Sequence, residues 1–358
     1  MGRLLRAVRD FMLNPLMIIC ATFMAFALLI PFAWGDLVFG AGTMRINQLA
    51  ASAREGISVD IDALDQEIQT FDRDYYLSRA EDSNKQAHLE SDYRRRSYDE
   101  AMSALASYLA DHPDQAFATS ARMTLVTYLP LALSRMPGFF WFLPSVFVLV
   151  RSADLLRKRG LIKRAPKITC GGAPLVLRSG ALSLILMLAF VLLPASVAVG
   201  TINGLGDPDY PVAFLREGEL VAQTALPVLT QSLAFFFLGN LTLYMLGMLA
   251  FFAARSKTAA LLPPMLLLGV ASAPDVVSAW HIPDCLAAAL PSTYYHFSDV
   301  IGYAGCFPTE MGPAAFPLHA TIGTGLLICL SILITSIACI LMIEGSRINR
   351  PIEGAGRW

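Results

Sequence analysis

The chain has 358 residues, 55% of them hydrophobic and 15% charged, with a formal net charge of −1. An ordinary soluble domain carries about 25% charged residues and a nucleic-acid binder a basic surface, so both classes are excluded and no nucleic acid is expected as a partner. Uncharged apolar stretches near the ~20 residues that cross a bilayer as a helix recur along the chain, which makes an all-α polytopic membrane protein the expected fold class.

Residues 1–14 place Leu4, Leu5, Val8, Phe11 and Met12 on one side of a helical pattern and Arg3, Arg6 and Arg9 on the other. That pattern predicts an amphipathic helix lying in a membrane surface, in contact with lipid. Residues 15–34 form the first predicted span. A cleaved signal peptide has a shorter apolar core of about 7–15 residues, so this span is read as uncleaved.

Residues 35–128 are the one sizeable polar region between apolar runs. Ile61, Leu64, Ile68, Phe71 and Tyr75 recur at helical steps, as do Ala101, Leu105, Tyr108 and Leu109. Two or three amphipathic helices are expected there. Residues 98–113 match half of a tetratricopeptide repeat, but no second copy follows and such arrays need several.

The second span is assigned to 129–156, with Arg135 reaching for the interface and kinks at Pro137 and Pro144. A basic loop follows over 157–180. The stretch "LLRKRGLIKRAPK" (155–167) alone contains six Lys or Arg. Residues 181–343 hold the third to sixth spans: Ala181 to Ile202, Ala225 to Ala254, Thr258 to Pro274 and Ala320 to Ile343. Outer loops are expected at 203–224 and 275–319, and a tail at 344–358. The total is six crossings.

Charge gives the expected orientation. Between Arg151 and Arg178 lie eight basic residues and one acid, whereas Asp36 to Arg122 holds sixteen acids and nine basic residues. With six spans, the basic segments around Arg6, Lys163, Arg255 and Arg350 share one side, which the positive-inside rule makes cytoplasmic. Both termini are then cytoplasmic, in a plasma membrane, and 35–128 is extracytoplasmic.

No phosphate loop, nucleophile elbow or zinc-protease motif is present. No catalytic residue, metal site or cofactor is therefore assigned on this chain. Cys285 and Cys306 share the outer segment before the last span, where a disulfide can form; closing that loop would contribute about 3 kcal/mol in the chain-entropy model. Asp275, His281 and Asp284 cap helix ends at the interface or relay protons. Asn240, inside the fourth span, is the candidate for a polar contact between helices.

The order of parts resembles the type-2 export permeases of ATP-binding-cassette (ABC) transporters over essentially the whole chain. Their entry segment reads basic residue, Asn or Asp, Pro, apolar run, which Arg9, Asn14 and Pro15 follow. Their second-to-third loop carries a coupling helix announced by charge and a glycine, similar to Arg157, Lys158, Gly160, Leu161, Ile162, Lys163 and Arg164. Family members commonly show Thr-Leu-Glu after that glycine; Leu161, Ile162 and Lys163 stand there instead, Thr169 occupies a usual proline position, and Pro166 is displaced. "PDCLAAALPSTYY" is similar to the family's Pro-rich approach to the last span, where the chain often re-enters the membrane. The resemblance implies a separate ABC ATPase subunit carrying ATP–Mg, a second permease half, and export of a drug, peptide, lipid or glycan. A second reading is a membrane sensor or assembly protein whose outer helical domain binds a ligand or partner; it has no recognisable output domain on the inside.

The orientation is directly testable. Cysteines introduced at Asn84 and Gly218 should react with an impermeant thiol reagent on intact cells, and one at Lys163 should not. Labelling of position 163 from outside reverses the topology.

Overall fold

The chain begins with two helices set at an angle. α1 (Gly2–Met12) and α2 (Pro15–Ala33) are bent by 64° at Leu13 and Asn14. The cause is local: Pro15 suits the first turn of a helix, where its missing N–H costs nothing, and Asn14 Oδ1 accepts the Leu16 N–H at 3.0 Å as an N-cap. α1 buries Val8 and Phe11 and exposes Arg6, Arg9 and Asp10. It packs along α6 (Gly172–Ile202), introduced below.

The computed structural model describes residues 2–33, 124–135, 138–158, 172–209, 211–216, 219–269, 289–295 and 321–348. The outer helices expected from residue 35 onward therefore lie outside the described residues up to 123. After α2 come α3 (Leu125–Arg135), α4 (Gly138–Trp141), α5 (Leu143–Lys158) and α6. Then follow β1 (Pro211–Arg216), β2 (Glu219–Thr224), α7 (Ala225–Ala254), α8 (Lys257–Gly269), a 3₁₀ turn (Pro291–Tyr295) and α9 (Ile322–Ile348).

α7 is the axis of the bundle. It packs against α3, α5, α6, α8 and α9, and 56% of its apolar window is buried, against 44% in α6 and 22% in α9. Its glycines let neighbours approach closely, as small residues do where helices meet in lipid. A Cβ on Gly247 would lie against Leu149 of α5 and 2.8 Å from the Ala260 carbonyl of α8. On α6, a Cβ on Gly180 would collide with the Tyr244 hydroxyl and lie 2.8 Å from Ser152 Oγ. Arg255, in the left-handed conformation (φ 54°), turns the chain from α7 into α8, its N–H bonded to the Phe251 carbonyl at 2.7 Å. At that end an ion pair joins Lys257 of α8 to Asp154 of α5.

The outer faces of the helices are apolar. Phe23 and Phe26 of α2, Phe190 and Leu193 of α6, and Leu327, Ile334 and Leu341 of α9 are exposed. In water such contiguous apolar surface would drive association; in lipid it is solvated. Among the described residues three helices are long and apolar enough to cross a membrane, within Pro174–Ile202, Ala225–Ala254 and Ile322–Ile343, and a fourth if the bent α1–α2 pair is one span. The chain is a membrane protein, and its described residues are nearly all helical.

Several boundaries differ from expectation. The second predicted span is described as three helices, α3 up to Arg135, α4 from Gly138 and α5 after a turn at Phe142. The fifth is described as a helix only to Gly269. The basic loop is shorter than 157–180, because α6 already begins at Gly172. The expected loop 203–224 contains an antiparallel hairpin with Arg216 opposite Glu219 and Pro211 opposite Thr224.

Filling the close approaches should loosen the bundle. Gly180→Val and Gly247→Val should each destabilise it by about 1–3 kcal/mol, the usual cost of overpacking. Gly323→Ala should not, since its Cβ would meet only Thr321 Oγ1 at 3.6 Å. Thermal unfolding in detergent distinguishes the three.

Candidate functional site

Inside lipid every backbone polar group needs a protein partner, so a broken helix must be repaired from its neighbours. The α3–α4–α5 segment poses that problem twice. In a continuous helix the Leu133 carbonyl would accept from residue 137, but Pro137 has no N–H. The Trp141 indole Nε1 donates to Leu133 O instead, at 2.8 Å. Where α4 ends, the Trp141 carbonyl accepts from Asn240 Nδ2 of α7 at 3.1 Å. Next along, the Phe142 carbonyl keeps its helical donor, Val146 N–H at 3.4 Å, and also accepts from Ser145 Oγ at 2.6 Å.

A second irregular element meets the same point of α7. The 3₁₀ turn buries Tyr294 and Tyr295 completely. Tyr295 Oη donates to the Gly239 carbonyl at 3.3 Å and lies 3.9 Å from Cys329 Sγ of α9. Its ring stands edge-on to Phe142, centroids 4.6 Å apart. Gly239 makes this possible, because a Cβ there would already be 3.1 Å from Phe142 and 3.4 Å from Tyr295. One residue on, Asn240 also donates to Phe236 O at 2.9 Å. Two further on, Thr242 Oγ1 donates to Leu238 O at 2.8 Å and to Cys329 O at 3.2 Å.

Lower on α7, Tyr244 Oη and Ser152 Oγ are 3.1 Å apart, joining α7 to α5. Tyr128 Oη of α3 donates to the Leu28 carbonyl of α2 at 2.6 Å. The seam is thus polar contacts between helices in an apolar frame. It holds helices; it contains no paired nucleophile and base. Among the described residues no group of three His, Cys, Asp or Glu could hold a metal ion.

Of the residues singled out from sequence, Asn240 lies at the centre of this seam, fully buried. Arg157 and Lys158 close α5. Gly160, Leu161, Ile162, Lys163 and Arg164 fall outside the described residues, as do Cys285 and Cys306, and with them Asp275, His281 and Asp284. Sequence reasoning missed Trp141, Ser152, Thr242, Tyr244 and Tyr295. Pro137 was a usable signal for Trp141, since a proline in a span announces a carbonyl in need of a donor. Nothing in the local sequence marks Tyr244 and Ser152 as partners. Compared with protein-family models, curated proteins and solved structures, the chain matches none.

Removing either repair should cost stability. Asn240→Leu strands the Trp141 carbonyl and Trp141→Phe strands that of Leu133. Each should destabilise the bundle by about 1–3 kcal/mol, the penalty of an unsatisfied buried group. Denaturation in mixed micelles measures both; wild-type stability in Asn240→Leu would show that the contact is incidental.

Proposed function

We propose that the chain is the membrane-spanning permease subunit of an ATP-driven ABC transporter of the type-2 export class. It works with a separate ATPase subunit, which carries ATP–Mg, and with a second permease half. The cargo class is a drug, peptide, lipid or glycan. Six crossings of the plasma membrane with both termini cytoplasmic belong to this reading, the second being the broken α3–α5 and the fifth containing α8.

The observation that carries it is the course of α5. This helix runs unbroken from Leu143 to Lys158 and delivers the basic stretch at its end. It is anchored beside its start by the Asn240–Trp141 bond and near its end by the Asp154–Lys257 pair. A push on the loop after Lys158 would therefore be passed along a stiff rod to the discontinuity next to α7. The bent α1–α2 entry also supports the reading, because a surface helix leading into a first span is one of the features on which the resemblance rests.

In this reading Leu161 and Ile162 dock in an apolar groove of the ATPase, flanked by Arg157, Lys158, Lys163 and Arg164. Replacing Leu161 and Ile162 together with Asp puts two charges into that contact, at a cost of roughly several kcal/mol. Insertion should remain normal, because the loop stays net positive. Association with the ATPase in pull-downs and substrate-stimulated hydrolysis should both collapse. Full association and transport in the double variant would reduce the loop to a topology signal and remove the main support for the assignment.

A further inference from the structure

The hydrogen bonds at Asn240 leave one atom over. A side-chain amide has two N–H donors and one carbonyl oxygen. Here Nδ2 faces the carbonyls of Trp141 and Phe236 at 3.1 and 2.9 Å. That fixes the amide's orientation, since a flipped group would set Oδ1 against two acceptors. Oδ1 is left buried without a protein donor. An acceptor stranded in an apolar interior costs about 1–3 kcal/mol, so a donor is called for.

Among the described residues, the hydroxyls of the seam are already used. Tyr295 gives its proton to Gly239 O, Ser145 to Phe142 O, and Thr242 to Leu238 and Cys329. The donor therefore comes from a bound molecule. Its charge is limited. Among the described residues no charged side chain is fully buried, so a cation there would have no counter-charge.

We propose that Asn240 Oδ1 binds a single internal water molecule at the break between α4 and α5. Water is the smallest neutral donor, and a buried water needs two or more polar partners. The Trp141 carbonyl beside the amide has a second lone pair to offer. The water gives the break an exchangeable partner, so α5 can shift against α7 without stranding a polar group. The inference does not depend on the permease reading.

Solid-state NMR of the full chain in lipid bilayers, labelled with ¹³C,¹⁵N-asparagine, tests it. The Asn240 side-chain signal is assigned by its loss in Asn240→Asp, or in Asn240→Leu if the first variant does not fold. Transfer from water protons to the Asn240 side-chain carbonyl carbon, surviving washout of bulk-water signal, is the expected result. Absence of that transfer while Asn203 shows it would overturn the proposal. So would transfer to Asn240 from a protein or lipid proton in place of water.

Discussion

A backbone carbonyl in lipid that loses its helical donor must find another inside the protein. Most of the interior follows from this constraint at one place, the interrupted segment from Leu133 to Phe142. Its two repairs come from an indole within the segment and from an amide on α7. That one contact brings α7 against the break. With it come Gly239, whose missing side chain admits Phe142 and Tyr295, and Thr242, which reaches on to α9.

The central helix is consequently both the most apolar in surroundings and the most polar in contacts. Apolar packing gives little preference between helices in lipid, where the tails are as greasy as the side chains. Hydrogen bonds and close approaches at glycine supply the specificity instead. Asn240, Thr242 and Tyr244 each tie α7 to a different strand of the structure: the α4–α5 break, α9, and α5 together with α6. The exposed faces of α2, α6 and α9 are mostly apolar and meet lipid, and exposed hydroxyls such as those of Thr201, Ser331 and Thr335 bond back to their own helix.

The half of the bundle near Asp154 is organised differently. There the Gly247 contact and a half-exposed ion pair hold α5, α7 and α8 together. An exposed ion pair contributes little stability. Its effect is directional: it fixes the end of α5 beside the start of α8. Under the transporter reading, this is where force from the basic loop would enter, and the stiff course of α5 sets where it would go.

Chain-local physics made the membrane class, the amphipathic start, the bend at Pro15 and the bounds of Ala225–Ala254 readable directly, because lipid demands long apolar runs whatever their neighbours. The hairpin at 211–224 escaped, since its strands are short and the sequence between them carries no Asn-Gly or Asp-Gly signal. The break in the second span was half legible: Pro137 and Pro144 announced a disturbance, and Asn240 stood out as a polar group needing company. Their meeting was not legible. Asn240 and Trp141 are 99 residues apart, and an unsatisfied carbonyl specifies that it needs a donor without specifying which. Several polar residues along the chain could have served. Only the tertiary packing, by letting two aromatic rings sit against the bare Cα of Gly239, decided that this one does.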